Sequence, residues 1–485
     1  MGKRLIMTLI GVLLLGCLSG CQGDSEARLD PSKPVYLTVW HYYNGAQQAA
    51  FDALVSEFNA TVGREQGIYV ESSSQGSVSD LEVAITKSAA QAIGSQELPD
   101  IFSTYADTAL ALQQQGLLAD LSDYFSEKEL SDYVPGYVQE GYLLGDGALY
   151  LFPVAKSTEI LMLNATDWEP FAQATGTQLE ELDTTEGITA VAQRYYEWTD
   201  AQTPDIPDDG KAFYGRDSMS NYFLIGMKQM GVSLFDVEDG EVIIRADRDK
   251  IRRLWDNYYV PYLQGWFVNF GKFRSDDVKT GDLIAYTGST SSAMYFPDQV
   301  VDEDSSRPIS YLIRTAPIME GGSRVYVQQG ADMAVTKSNA LHEYAACQFL
   351  KWFTSKENSL RFVCESAYLP VRIDSNSVAS LDEVIAAQDL RISSKAYDCL
   401  KCVWDSFKEM EFYTTRCFAN GYATRKVLDF SLSDKAEADK AAIDAQVAAG
   451  TSRKEATAPY LTEEAFEAWY QVFCQALEEK AHPQS

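Results

Sequence analysis

Short apolar runs alternate along the chain with stretches whose apolar positions recur at helical spacing. VYLTVWHYY (35–43) predicts a strand, and the following AQQAAFDALVSEFNAT carries Phe51, Leu54, Val55 and Phe58 on one helical face. GIYVESSSQ (67–75) predicts the next strand, and SDLEVAITKSAAQAIG a helix capped by Ser79 or Asp80. LPDIFSTY then predicts a short buried strand, and ADTALALQQQGLLADLSDYF a helix broken at Gly116. This βαβαβ rhythm belongs to an α/β protein with a parallel sheet, whose ligand crevice lies at the carboxyl ends of the strands. Trp40, His41, Tyr42, Thr104, Tyr105 and Asp107 are thereby expected at one rim.

Farther on, SLFDVEDGEVIIRAD predicts a hairpin turning at Asp239-Gly240. Its oxygen ligands lack the fuller spacing of a calcium loop. In GDLIAYTGSTSSAMYF (281–296), Asp282 to Thr287 predicts a strand, Gly288 a turn, and Ser289 to Ser292 the start of a helix. Such a helix start offers hydroxyls and free amides, which suit a sugar hydroxyl, a phosphate or a carboxylate. ALHEYAACQFLKWF and SSKAYDCLKCVWDSFKEM read as helices, and KAEADKAAIDAQVAAGTSRKEA, after DFSLSD, as a surface helix and loop. YLTEEAFEAWYQVFCQALEEK is a final amphipathic helix with Thr462 as its cap, expected to pack on its own lobe.

The first twenty residues stand apart from this pattern. Lys3 and Arg4 precede an apolar run, Leu5 to Gly16, that is too short to span a bilayer. It ends in Leu18-Ser19-Gly20-Cys21, which resembles the lipobox of bacterial lipoproteins; the resemblance implies cleavage before Cys21 and acylation of its thiol and amine. Two or three acyl chains anchor stably where one does not. Residues 1–20 are thus expected to be a signal peptide and 21–34 a lipid-anchored tether, with the chain held at the outer face of the cytoplasmic membrane. A length of 485 residues and a 46% hydrophobic composition supply core for two lobes or more. The net charge of −30 argues against nucleic acid as a partner.

Export bears on the cysteines. Cys347, Cys364, Cys399, Cys402, Cys417 and Cys474 remain after the anchor, and Cys399-Leu-Lys-Cys402 has no second pair with which to build a zinc ribbon. Buried thiols, or one or two structural disulfides, are expected in place of metal or redox chemistry. Catalytic motifs also fail. Around Gly288 the second glycine of G-x-S-x-G is missing, and no phosphate-loop G-x-x-x-x-G-K-[ST] occurs. A pair of glycosidase carboxylates is not excluded by composition, but no strand-end glutamate stands out for it. No cofactor and no metal is expected.

Three segments carry a family resemblance. LPDIFSTYADTALALQQQGLLADLSDYF, LYLFPVAKSTEILMLNATDWE (149–169) and GADMAVTKSNALHEYAACQFLKWFTSKENSLRFVCESAYLPVR (330–372) resemble, in order, blocks of extracellular solute-binding proteins of the maltodextrin and oligosaccharide type. The resemblance implies a two-lobed periplasmic-binding-protein-like fold of type II, with three interlobe crossings and a cleft that closes by hinge motion on its ligand. By analogy one lobe takes 35–152 and 323–368, and the other 156–318 and 372–485. It further implies no enzyme, but a carrier that delivers a sugar or polyol to ABC permease subunits. Aromatic planes and hydroxyl-satisfying polar groups are what such a ligand needs. The expected ligand-binding residues are Trp40, Tyr42, Tyr105, Asp107, Ser157, Thr158, Trp266, Ser289, Thr290 and Tyr368. At 281–296 the chain departs from the family by placing hydroxyls after the glycine where an aromatic is usual. That departure motivates a phosphorylated polyol, such as a glycerophosphodiester, as the competing ligand. A surface glycan-binding adhesin and a carbohydrate-active hydrolase are the readings outside the class.

Overall fold

The structure, a computed structural model, describes residues 29–238, 240–301 and 305–483. The signal segment, Cys21, most of the tether and Asp239 lie outside the described residues.

Two four-stranded sheets organise the chain. In the first, Val35–His41 pairs in parallel with Ile68–Ser74 and Ile101–Thr104, and Asp332–Val335 closes the edge antiparallel to Ile101–Thr104. Helices Gly45–Ala60 and Ala340–Phe353 cover one face, with Phe51, Phe58, Phe349 and Phe353 buried against Leu37 and Val39. The helix after the second strand is Val78–Ala89, and its cap is Ser77, not the expected Ser79 or Asp80. Asp80 instead completes a capping box by reaching back to the Ser77 backbone.

The first sheet, expected to be parallel, is thus mixed at its edge, and the second sheet is mixed as well. Its order is Tyr311–Thr315, Glu159–Asn164, Ala285–Ser289, Tyr214–Arg216, and only the last pair is parallel. The strand EILMLN is buried at every position because helices cover both faces. Leu161 and Leu163 point into a core completed by Phe466, Trp469 and Phe473 of the final helix, Glu463–Ala481. Ile160 and Met162 point the other way, onto Leu381, Cys399 and Val403.

Two expectations along this lobe are corrected. Gly288 is not a turn but lies inside the strand Ala285–Ser289. A Cβ there would sit 2.5 Å from Asp217 Oδ2, so the glycine lets the Asp217 carboxylate lie over the strand. The surface helix expected after DFSLSD starts before it, at Gly421, and runs as one helix, Gly421–Ala448, of 28 residues. Leu428, Leu432, Ala436 and Ile443 hold that helix on the core, and Ser433 is satisfied by the Asp429 carbonyl at 2.8 Å.

Between the sheets the chain passes three times, side by side. Lys156 exchanges backbone bonds with Leu369 (3.0 and 2.5 Å), and Ser157 with Gln329 (2.8 and 3.1 Å). Gly330, at φ +103°, permits the close approach, since a Cβ there would lie 2.8 Å from the Ala155 carbonyl. Val325–Val327, just before the second passage, pairs in parallel with Glu411–Tyr413 from the tail. All six cysteines after Cys21 are free thiols, and no disulfide forms among the described residues. The hairpin Phe235–Glu238 with Glu241–Ile244 forms as expected around Gly240.

Candidate functional site

A cavity of about 260 Å³ opens where the two sheets face each other across the passages. Its first wall comes from the carboxyl end of the strand Ile101–Thr104, where the chain turns into the helix Ala106–Gln113. That turn presents Tyr105 and Asp107, and Glu140 stands beside them. The opposite wall starts in the same way, at the end of the strand Tyr214–Arg216. There Ser218 caps the helix Met219–Gln229 and presents Ser220 and Asn221. Gln328 and Gln329 of the second passage form the floor. The tail adds Tyr413 and Thr415, then Tyr422, Arg425, Lys426 and Asp429 near the start of Gly421–Ala448, and Val78, Leu224, Ile225 and Val327 supply apolar lining.

The charged groups of these walls are mutually compensated. Asp107 accepts from Arg425 at 2.9 Å. Glu140 Oε2 accepts from the buried Lys156 ammonium at 2.9 Å and from Gln328 at 2.7 Å. Asp429 accepts the Ser220 N–H at 3.2 Å and lies 3.6 Å from Lys426. Burial raises the Asp107 carboxyl, and Arg425 pulls it back. Burial also holds the Tyr105 phenol well above its usual range, so it stays a neutral donor. The Thr415 hydroxyl is buried without a partner, and the rings of Tyr105, Tyr413 and Tyr422 complete the lining.

Two buried ion pairs brace the floor. Lys156 also donates to the Gly330 carbonyl at 3.1 Å and meets Asp332 at 2.7 Å. Burial, outweighing Lys156, pushes Asp332 up to about 7. Across the cavity Arg216 pairs with Glu159 at 3.1 Å, and Asn221 bridges Glu159 (3.0 Å) to Gln329 (2.8 Å).

Of the residues expected to bind ligand, Tyr105 and Asp107 line the cavity. Trp40 is buried among Leu81, Ile85 and Phe102. His41 is packed between Tyr43 and Phe51, and burial lowers its pKa to about 4. The Tyr42 and Tyr368 hydroxyls meet each other at 3.2 Å. Ser157 and Thr158 are buried in the first passage. Trp266 packs on the second-lobe core, and its carbonyl accepts the Phe213 N–H at 2.8 Å. Ser289 caps the short 3₁₀ turn Thr290–Tyr295. The Thr290 N–H is bound to the Thr158 carbonyl at 2.8 Å, and the Ser291 N–H reaches Ser289 Oγ at 3.4 Å, so these two amides are not free for an anion.

Sequence reasoning missed Glu140, Ser218, Ser220, Asn221, the two glutamines and the whole tail contribution. A signal existed for one group: DSMSNYF carries an N-cap serine directly after a strand end, the same signature that exposed Tyr105 and Asp107.

The model of the bacterial extracellular solute-binding protein family matches residues 53–389. No curated protein matches the chain. Among solved structures it is similar to a cyclic alpha-maltosyl-1,6-maltose binding protein from Arthrobacter globiformis, with a TM-score of 0.64 at 18% identity, covering 92% of this chain and 100% of that one. An ABC substrate-binding protein from Listeria monocytogenes in complex with cycloalternan gives 0.63 at 15% identity, covering 92% and 99%. UgpB from Mycobacterium tuberculosis, in complex with glycerophosphocholine, gives 0.62 at 17% identity, covering 91% and 98%. At these identities the likeness is one of fold.

Proposed function

Because the chain belongs to the bacterial extracellular solute-binding proteins, we propose that it captures a carbohydrate in the cleft between its lobes and hands it to the permease subunits of an ABC importer. The family works outside the cytoplasm. We place this protein on the outer face of the cytoplasmic membrane, held by acylated Cys21.

The observation that carries the ligand class is the pairing of charge. Each carboxylate that lines the cavity already faces a cation, and each cation a carboxylate, so an ionic ligand would have to break an existing pair. What is unclaimed is the buried Thr415 hydroxyl, the second oxygen of Asp107 and three tyrosine rings. That set suits a neutral ring with hydroxyls at its edge and C–H faces above and below. The same pairing supports a binder over a hydrolase, since retaining and inverting glycosidases need a free acid and a free carboxylate across the bond. The ligand favours closure through contacts that exist only when both walls meet it. A glycerophosphodiester is the second reading, because Lys426 holds its carboxylate most loosely, at 3.6 Å.

Thermal unfolding with neutral oligosaccharides, polyols and glycerophosphocholine decides between them. A sugar at a hundred times its Kd stabilises by about 2.7 kcal/mol. Stabilisation by glycerophosphocholine alone moves the assignment to the second reading. If no small solute acts while insoluble glycan retains the protein, the importer reading fails.

A further inference from the structure

The tail segment between Tyr413 and Arg425 touches both lobes within a few residues. Cys417 is buried in the first-lobe cluster of Trp40, Leu110, Leu143 and Leu151, with its thiol 3.6 Å from the Leu143 carbonyl. Its chain neighbour Phe418 is buried in the other lobe's core, 5.3 Å from the ring of Phe235. Arg416 Nη1 donates to the Val237 carbonyl of the second-lobe hairpin at 3.4 Å. Three residues beyond Phe418, Gly421 starts the long helix against the first lobe's Asp107, whose carboxylate lies where a side chain at 421 would begin. Arg425, one turn later, pairs with that same carboxylate. Outside the three backbone passages, three contacts of different chemistry, at Cys417, Gly421 and Arg425, therefore join the tail to the first lobe, while Arg416 and Phe418 hold it to the second.

We propose that Thr415–Arg425 is a strap that latches the closed form, with Asp107 and Arg425 as the positioning residues that set its closure. Opening the hinge separates Asp107 from Arg425 and withdraws Cys417 from the first-lobe core. The strap also supplies Thr415 and Arg425 to the cavity wall, so latching and completing the binding site are one event. The device depends on the two-lobed fold and its hinge and not on which solute is bound, so it can fail while the carbohydrate reading stands, and the reverse.

Cys417 is its own reporter. Burial pushes its thiol up to about 12, so it reacts only when exposed. In the full-length chain without ligand, alkylation at pH 8 followed by peptide mass mapping is expected to label Cys417 slowly. Arg425→Met and Asp107→Asn should each speed that labelling about fivefold, the effect of losing a partly buried pair of about 1 kcal/mol. Arg425→Lys, which keeps the charge, should restore most of the protection. Cys347 and Cys399, fully buried within single lobes, should stay unlabelled throughout. An unchanged Cys417 rate in both variants overturns the strap. So does acceleration of Cys347 and Cys399 in step with Cys417, which would mean unfolding and not unlatching.

Discussion

The two walls of the cleft are built by different rules. The first arises within about forty residues of local chain, where a strand ends and a helix begins, and its side chains face the cleft because the sheet geometry leaves them no alternative. The second is assembled from a strand end near residue 216, a passage near 328 and a helix that starts at 421. One wall is a property of a βαβ unit; the other is a property of the finished core. A binding protein can thus retune one wall through its tail while leaving the strand-end grammar of the other untouched.

The sharpest way to break this comparison is at the floor, where both walls lean on Lys156. Lys156→Met leaves Glu140 and Asp332 buried without their shared cation and should cost about 3–5 kcal/mol in urea unfolding at pH 8. Burial raises the Asp332 carboxyl even with Lys156 beside it, and loss of that cation raises it further. The variant's deficit should therefore shrink on going from pH 8 to pH 5, as the folded carboxyl takes up a proton that the unfolded one does not. A deficit below about 1 kcal/mol at pH 8 would show that the floor does not brace the walls.

Behind the first wall, His41 tests how rigid that side is. Its pKa falls from 6.5 unfolded to about 4 folded because burial disfavours the imidazolium. The stability this confers is complete above pH 6.5 and is lost as pH falls toward 4, by up to about 3 kcal/mol. His41→Phe should flatten that part of the profile; an unaltered slope assigns the acid sensitivity elsewhere.

At the cavity itself, Tyr105→Ala is expected to weaken binding of the stabilising sugar by about 1–3 kcal/mol in titration calorimetry. Tyr422→Ala, on a ring that is 37% exposed, should cost about 1 kcal/mol or less. A reversed order would make the tail the dominant wall. The smallest effect is expected at Ser289→Ala, which loses a cap worth about 0.5–1 kcal/mol of stability and leaves sugar affinity unchanged.

What was legible in the sequence follows the same division. The first sheet, its helices and the pair Tyr105 and Asp107 came from period and strand-end position, which are local. Trp40 shared that position but not the exposure, because at the end of Val35–His41 the alternation of buried and exposed residues lapses into three buried in a row. The hydroxyl run after Gly288 looked like a ligand loop, yet the Thr290 amide is bound to the Thr158 carbonyl, the Ser291 amide and hydroxyl to Ser289 Oγ, and the Ser292 hydroxyl to the Ser289 carbonyl. No local pattern could announce Arg425, since the Asp107 it meets lies 318 positions away, and the serines of DFSLSD hid the helix that carries it.

The reciprocal backbone bonds between Lys156 and Leu369, and between Ser157 and Gln329, have a consequence for how solvent reads the molecule. A ribbon held on both sides can twist without releasing its amides, whereas the strap must let go for the lobes to part. Hydrogen–deuterium exchange should then run opposite to intuition about hinges. The amides of Lys156, Ser157, Gln329 and Leu369 should exchange only with global unfolding, while those around Phe418 and Gly421 exchange with each opening.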